Sequence, residues 1–266
     1  MSSKVRLQKI FIYNKQRLDY SMEKLQAELG KLAINHGADL FGAANLTVAQ
    51  DFICNQGGEY LRKFPRAISI GVRLLDSVVD ELYRHKDLAG ILAYRNHYFT
   101  VNSRLEHIAL LLAKKIQDED YQVYTIPASQ VIDLNKITGG ISHKLVANLA
   151  GLGWIGKNCL LITPDYGPRI RLVTILTDAP LRFGTPVRFN CDDCRECIDV
   201  CPVKAFTGIP FNPSETREAR FNAHLCMNYS KKRGALLGEV EGKKVGNLCG
   251  LCVHICPYGR RSSTSK

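Results

Sequence analysis

The spacing of the cysteines in the last third of the chain constrains its fold more than any other feature. The sequence has 266 residues and ten cysteines, and eight of these lie between residues 191 and 256. They form two runs and one isolated cysteine: Cys191-x2-Cys194-x2-Cys197-x3-Cys201-Pro202, Cys226, and Cys249-x2-Cys252-x3-Cys256-Pro257. The first run has the spacing of bacterial ferredoxins, in which the fourth cysteine binds the neighbouring 4Fe–4S cluster.

This spacing predicts two interlocked 4Fe–4S clusters. A proline after the last cysteine of each run suits the first turn of a helix, so that this cysteine points away from its own loop. We therefore expect each run to give its last cysteine to the other cluster, and the isolated cysteine to complete the second set. The predicted sets are Cys191, Cys194, Cys197 and Cys256 for the first cluster, and Cys201, Cys226, Cys249 and Cys252 for the second.

Other uses of the cysteines fit the sequence less well. Disulfides need an oxidising compartment. The N-terminal region has no apolar stretch long enough for a signal peptide, so we expect a reducing cytoplasm. Pairs of the CxxC type can bind zinc, but a four-cysteine run that ends in proline is not a usual zinc arrangement. Outside the runs, Cys54 and Cys159 are predicted to be small buried core residues.

Charge and hydropathy narrow the class of partner. The chain has 36 lysines and arginines against 25 aspartates and glutamates, which gives a formal charge of +11. A 4Fe–4S cluster with four thiolates carries about −2, so two clusters would lower the total to about +7. The remaining excess leaves nucleic acid open as a partner, although basic runs are most often solvated surface. No apolar run is long enough to cross a bilayer, so no membrane partner is expected.

Residues before the cysteine region mix helical and strand patterns. The proline-marked stretch 179–186 indicates a linker, so we expect one domain over 1–180 and a second over 181–266. Helices are predicted from the apolar stripe that begins at Leu18, from 101–116, and from a cap at Ser142 to about residue 150. Strands are predicted at 66–74, 122–126, 159–163 and 170–177. Together they indicate an α+β or α/β domain.

A glycine-rich octet, GLGWIGKN, follows the predicted helix at 142–150. Glycines at this density allow a sharp turn or a close approach of the backbone to another group. The simplest interpretation is a helix–strand turn with a packed tryptophan. The octet is not a dinucleotide fingerprint, because its glycines do not open a helix after a strand. Its residues are Gly151, Leu152, Gly153, Trp154, Ile155, Gly156, Lys157 and Asn158.

Several segments together resemble the epoxyqueuosine reductase family. They are SHKLVANLAGLGWIGKNCLLI, followed by ILTDAP and CDDCRECIDVCPVKAF, and upstream LAINHGADLFGAANL and AISIGVRL. The resemblance covers nearly the whole chain and is strongest from Leu145 to Pro257. That family depends on cobalamin, carries two 4Fe–4S clusters and is related to the reductive dehalogenases. The isolated Cys226 also stands where the family places a cysteine.

The resemblance implies a nitroreductase-like α+β domain that binds cobalamin, followed by a small domain like a bacterial ferredoxin. Residues 151 and 153–158 of the glycine-rich octet would lie against the corrinoid, and Tyr98, next to Tyr94 and His97, could reach a face of the cofactor. The near cluster would reduce the cobalt. Reduced ferredoxin or flavodoxin would be the electron donor, and tRNA would be a candidate partner.

One departure from the family concerns the proton donor. The family has an aspartate followed by Pro-Val-Leu-Glu before the GLGW motif, whereas this chain has ITGGISH at 137–143. The candidates that remain for a catalytic acid are Asp133 and His143. The resemblance therefore leaves three functions open. They are a cobalamin-dependent reductase of another substrate, a true tRNA epoxyqueuosine reductase, and an electron-transfer protein that activates a corrinoid.

Overall fold

A four-stranded antiparallel sheet forms the centre of the first part of the chain in the computed structural model. The model describes residues 22–84, 87–236, 238–240, 243–244 and 249–260. The strand order is β1-β2-β6-β3. The strands are β1 (Leu40–Asn45), β2 (Arg66–Arg73), β3 (Val123–Ile126) and β6 (Ile170–Thr177). Strands β2 and β6 pair along their full lengths, and the six interior residues of β2 are all buried. The sheet is therefore covered on both faces.

Two helices cover one face of the sheet. Helix α1 comprises residues 22–35 of the described chain, and helix α4 spans Leu88–Asp118. Leu29 of α1 and Leu105 of α4 are fully buried in one apolar core with the inner residues of β2 and β6. Helix α1 is followed by Gly37 at a φ of +96°, a conformation that glycine adopts without strain. Leu18, the predicted start of this helix, lies outside the described residues.

The other face of the sheet carries helices α2 (Gln50–Gly57) and α5 (His143–Leu149). Ile53 of α2 and Val146 of α5 share a second apolar core with Leu176 of β6. The remaining helices are α3 (Asp76–Asp80), α6 (Glu196–Asp199), α7 (Ala223–Leu236) and α8 (Leu251–His254). The remaining strands are β4 (Trp154–Ile155), β5 (Leu161–Ile162), β7 (Glu239–Val240) and β8 (Lys243–Lys244). Short 3₁₀ turns lie at Thr47–Ala49, Glu59–Lys63, Glu81–Arg84 and Arg217–Ala219.

The cysteine-bearing segment packs directly on the first domain. Val253 of α8 belongs to the same apolar core as α1 and α4. Ala179 and Leu181, which lie within the predicted linker, are also buried in that core. Arg169, only 1% exposed, pairs with Asp76 and Asp80 of α3 beside α8. The chain therefore crosses from the first domain to the cysteine region through a packed segment.

Most predicted elements of the first domain are confirmed, including the α+β class. Strands 66–73, 123–126 and 170–177 match their predictions, and α5 begins directly after Ser142, although the Ser142 side chain makes no capping hydrogen bond. The helix predicted at 101–116 was too short, since α4 begins at Leu88 with the Asp87 carboxylate accepting from the N–H of Ala89. The strand predicted at 159–163 is reduced to β5. No helix in the described ranges is long and apolar enough to cross a membrane.

Candidate iron–sulfur and cofactor site

The seven cysteines of the two runs and the isolated Cys226 meet in two neighbouring groups. Cys191, Cys194, Cys197 and Cys256 line one cavity of about 20 Å³. Burial, and then repulsion from Cys191 and Cys197, raises the pKa of the Cys256 thiol to about 12. A group of thiols that are this costly to ionise is stabilised when a positive metal centre binds its thiolates.

Helix α7 and the second run bring the other four cysteines together. Burial, and then the charges of Cys249 and Cys201, raises the pKa of the Cys226 thiol to about 11. Burial also raises the pKa of Cys252 well above its ordinary value, with further contributions from Cys249 and Cys226 and a smaller one from Cys197. Cys197 of the first group packs in one apolar cluster with Cys201, Cys226 and Cys252, so the two groups are adjacent. Across the residues described, no three His, Cys, Asp or Glu side chains are arranged to hold a single metal ion.

Backbone conformation and N–H donors fix the cysteine loops. Asp192, which follows the first cysteine, has a φ of +38°, and Gly250 in the second run has a φ of +73°. A Cβ on Gly250 would lie 2.6 Å from a methyl carbon of Leu82, so glycine is required there. The backbone N–H of Ala205 donates to the sulfur of Cys201 at 3.3 Å. Donors of this kind tune the reduction potential of a cluster through its sulfurs.

The glycine-rich turn supports these loops. The indole N–H of Trp154 donates to the sulfur of Cys191 at 3.4 Å. The Lys157 ammonium donates to the carbonyls of Asp192 and Cys194, and the Asn158 amide donates to the carbonyl of Cys252. The turn therefore contacts both cysteine groups.

Glycine is needed in this turn because the backbone packs closely on itself. A Cβ on Gly153 would lie 2.2 Å from the carbonyl oxygen of Ile162, and one on Gly156 would lie 2.7 Å from the Ile162 side chain. Gly151 has a φ of +77° and faces the backbone of Thr185. Of the residues predicted to lie against a corrinoid, Ile155 lines the large cavity described next, whereas the rest of the turn faces the cysteine region or β5.

A cavity of about 1410 Å³ lies where the first domain meets the cysteine-bearing segment. Its first wall comes from α2, the loop 133–139, α5 and β6, and its second wall comes from residues 211–224. Ordinary small-molecule sites enclose about 300–1,000 Å³. This cavity is therefore large enough for a ligand bigger than a typical metabolite.

The second cysteine group lies directly behind one wall of this cavity. Phe221 lines the cavity and stacks on Phe206, with ring centroids 5.1 Å apart and an interplanar angle of 18°. Phe206 is buried in one apolar cluster with Cys201, against which Phe221 and Cys226 also pack. The aromatic pair therefore separates the cysteines from the cavity.

The two candidate acids both line the cavity, but their environments differ. Asp133 sits in a tight turn in which one carboxylate oxygen accepts the backbone N–H groups of Asn135 and Lys136. His143 is held between Thr174, whose hydroxyl lies 2.8 Å from Nδ1, and the carbonyl of Pro127, 2.9 Å from Nε2. A carbonyl only accepts, so Nε2 carries the proton and the Thr174 hydroxyl donates to Nδ1.

These contacts fix the orientation of the His143 ring. Burial lowers its pKa to about 4, so the ring is neutral near pH 7. Both ring nitrogens already have partners, so the ring is not arranged as the free proton donor that the sequence suggested. Tyr98 lies behind the cavity wall, with its ring under the Arg171 guanidinium at 4.0 Å and its hydroxyl 3.2 Å from that of Ser129.

Two cavity-lining arginines were missed from the sequence. Arg217 donates to the carbonyls of Lys136 and Ile137 and so ties the loop 133–139 to the cysteine-bearing segment. Arg220 is buried beside Phe211, with its guanidinium 4.7 Å from the ring centroid. Basic residues near a cysteine motif usually lie on the surface, and no local pattern distinguishes these two.

The fold and the cysteine groups define the class of this protein as an iron–sulfur protein with a cofactor-sized cavity. Residues 190–259 match a family model described as a 4Fe-4S double cluster binding domain. Among curated proteins, epoxyqueuosine reductase from Listeria monocytogenes is 34% identical over 126 residues, which cover 46% of this chain and 31% of the relative. The Bacillus anthracis epoxyqueuosine reductase is 27% identical over 169 residues, or 62% of this chain and 39% of the relative. Over these regions the chain is similar to epoxyqueuosine reductases.

Solved structures share the fold. Epoxyqueuosine reductase from Bacillus subtilis matches with a TM-score of 0.57 at 19% identity, over 90% of this chain and 66% of that one. Another epoxyqueuosine reductase, crystallised with an epoxyqueuosine-modified tRNA stem loop, has a TM-score of 0.58 at 20% identity over the same shares. A catabolic reductive dehalogenase matches with a TM-score of 0.65 at 18% identity, over 89% of this chain and 32% of that one. The chain thus spans less than two thirds of the length of these relatives.

Proposed function

We propose that this protein is an iron–sulfur, corrinoid-dependent reductase in which two 4Fe–4S clusters serve a cofactor bound in the large cavity. The observation that carries the proposal is the shared wall, since Phe221 lines the cavity and also packs in the apolar cluster that contains the second cysteine group. A redox-active ligand in the cavity would therefore lie close to that group.

The cysteine ligands are assigned from their grouping. Cys191, Cys194, Cys197 and Cys256 would hold the first cluster, which is supported by the cavity that these four line. Cys201, Cys226, Cys249 and Cys252 would hold the second, which is supported by their mutual effects on the thiol pKa values. The clusters supply one-electron transfer, and Trp154, Lys157 and Asn158 orient the loops that hold them.

The residues around the cavity fit a corrinoid in size and chemistry. The volume suits a large ligand, and the side chains of Leu145, Ile155 and Leu161 form an apolar part of the cavity wall. When bound, the corrinoid would supply a redox-active cobalt centre, and the protein would supply orientation and electrostatics. His143 would hold the wall in place, and Asp133 is the carboxylic acid that we propose as the proton donor.

Anaerobic reconstitution with iron, sulfide and cobalamin tests the proposal. Loaded protein should carry about eight irons per chain and show a base-off cobalt(II) EPR signal. Leu145→Trp should narrow the cavity and weaken the cobalt signal with little change in iron. Leu110→Trp, at a position that is 66% exposed on α4, is the matched control and should change neither reading. Protein with full iron that binds no corrinoid would leave only an electron-transfer role.

The second candidate is a tRNA epoxyqueuosine reductase in the strict sense. Similarity to epoxyqueuosine reductases and the positive charge favour it, whereas the missing family aspartate favours another substrate. Incubation of cluster-loaded protein with cobalamin, a reduced ferredoxin or flavodoxin and epoxyqueuosine-containing tRNA would decide between them. Queuosine formation would establish the tRNA substrate, and its absence under conditions that reduce the cobalt would point to a different one.

A further inference from the structure

Arg220 is a buried cation that lines the large cavity and has no counter-ion among the described residues. It is only 6% exposed. In the described part of the chain, its Nε and Nη1 atoms have no hydrogen-bond partner and no carboxylate lies within ion-pair distance. The Phe211 ring covers one face of the guanidinium, but such a contact does not use the N–H groups.

The acidic residues of the cavity wall are engaged elsewhere. Asp51 pairs with Arg62, and Glu218 pairs with Arg217. Glu215 accepts from the Asn212 side chain, and Asp133 accepts from its own turn. None of these four cavity-lining carboxylates is therefore positioned to neutralise Arg220.

A second cation adds to the positive charge near Arg220. Lys144 lines the same cavity and donates to the carbonyl of Cys159 at 2.5 Å. Burial lowers the pKa of the Lys144 ammonium, and the charges of Arg220 and Arg217 lower it further. A buried guanidinium is costly unless an anion pairs with it. A cavity that keeps two cations together is therefore suited to a ligand that brings the missing negative charge.

The backbone holds Arg220 firmly in this place. Its carbonyl accepts the backbone N–H of Thr207 at 3.1 Å. The next two residues are also fixed, because Phe221 stacks on Phe206 and the Asn222 N–H donates to the carbonyl of Ala205. The guanidinium is thus presented by a preorganised segment, which lowers the entropic cost of binding.

We propose that Arg220, assisted by Lys144, binds a phosphate or carboxylate group of the molecule that occupies the large cavity. This inference deepens the proposed function and rests on it for the identity of the occupant. A corrinoid with a nucleotide loop carries a phosphodiester, and a substrate can carry a phosphate or carboxylate of its own. In either case a guanidinium carries a planar fork of N–H groups of the kind that pairs with such an anion.

Three probes test the site with cluster-loaded protein under anaerobic conditions. They are cobalamin, cobinamide, which lacks the phosphodiester and nucleotide, and inorganic phosphate at constant ionic strength. The affinity for each is measured by calorimetry, and the phosphate-dependent rise in melting temperature gives an independent reading. The variants are Arg220→Met, which keeps the aliphatic stem, and Arg220→Lys, which keeps the charge. Arg62→Met is the matched control, because Arg62 lines the same cavity but already pairs with Asp51.

The pattern of losses identifies the source of the anion. Arg220→Met should lower the affinity for the anion about tenfold or more, which is the loss expected for a charge-assisted hydrogen bond. Arg220→Lys should recover part of this affinity. Weaker cobalamin binding with unchanged cobinamide binding would assign the anion to the cofactor. Unchanged corrinoid binding with a lost response to phosphate would assign it to the substrate.

Other outcomes would overturn the inference. If Arg220→Met bound cobalamin and phosphate as tightly as the parent protein, Arg220 would not be an anion site. Equal weakening of cobalamin and cobinamide with unchanged phosphate binding would show that Arg220 contacts the corrin ring instead. If Arg220→Met failed to fold, Arg220→Lys and Arg220→Gln would be compared in its place. Equal phosphate affinity in these two variants would show that Arg220 is not an anion site. A parent protein that binds phosphate through Arg220 but no corrinoid would refute the proposed function and keep the anion site.

Discussion

Replacement of Trp154 by Phe isolates one hydrogen bond to the first cysteine group. The indole N–H donates to the sulfur of Cys191 at 3.4 Å, and the ring packs edge-on against Tyr258 with centroids 4.8 Å apart. Phenylalanine keeps an aromatic ring in this contact and removes the donor. Reduction adds one negative charge to a cluster, so an N–H aimed at its sulfur stabilises the reduced state more than the oxidised state. Loss of the donor should therefore lower the reduction potential of the first cluster.

The size of this shift follows from the energy of the bond. One hydrogen bond contributes about 0.5–1.5 kcal/mol net. For a one-electron couple, about 1.4 kcal/mol corresponds to about 59 mV. If most of the bond is felt only in the reduced state, the potential falls by about 20–60 mV. A smaller preference for the reduced state gives a shift nearer the lower figure.

An anaerobic redox titration followed by EPR measures the potential of each cluster. Tyr258→Phe is the matched control, because the Tyr258 hydroxyl hydrogen-bonds with Asn190, away from the sulfur, and the ring contact with Trp154 is kept. Iron content must match in all three proteins. If Trp154→Phe left the potential unchanged or raised it, or if Tyr258→Phe produced the same fall, the assignment of the indole N–H as a donor to the cluster would be refuted.

Three further predictions concern assembly and stability. Cys226→Ala should lose about half of the iron and leave the EPR signal of the first cluster; full iron with unchanged spectra would refute the ligand sets. Gly153→Ala should lower the melting temperature by about 2–10 °C, because overpacking costs about 1–3 kcal/mol in a chain of this size. Gly90→Ala should not, since a Cβ there meets no atom closer than 3.6 Å; equal losses in both would contradict the packing argument. Burial lowers the pKa of His143 from 6.5 to about 4, so the unfolded chain takes up a proton first as the pH falls. Stability against urea should therefore drop between about pH 7 and 5 by on the order of 1–2 kcal/mol. His143→Gln should flatten this slope, and an unchanged slope would assign it to other groups.

The sequence predicted the first domain best where apolar patterns are local. Strand β6, with seven of its eight residues buried, is rich in isoleucine, leucine and valine and was predicted at its observed bounds. The start of α4 was missed because its early turns find their packing partners far along the chain. Tyr94, for example, is buried against Gly250, where a Cβ would lie 3.0 Å from its ring. A contact between residues so distant in sequence leaves no periodic signal.

In the candidate site, too, local patterns were predicted from the sequence and contacts between distant residues were not. The sequence predicts the grouping of the cysteines from the spacing of the two runs and their following prolines, with Cys226 added to complete the second set. It does not predict the partner of the glycine-rich turn, because glycine density predicts a close approach and not the group approached. Here Gly153 approaches the backbone of Ile162, while Lys157 and Asn158 reach the cysteine loops. The burial of Arg220 likewise depends on Phe211 and on the opposite wall of the cavity.

The cysteine-bearing segment unites two roles that a simple ferredoxin keeps apart. Residues 211–224 form a wall of the large cavity, and Cys226, on the first turn of α7, belongs to the second cysteine group. The segment's own apolar cluster has five buried residues, two of which are cysteines. Besides its packing on the first domain, so small a core is usually supplemented by metal–thiolate bonds. Binding of the second cluster would therefore fix α7, and α7 would fix the wall with Arg220. On this reasoning a bound cluster would stabilise the cavity wall that carries Arg220.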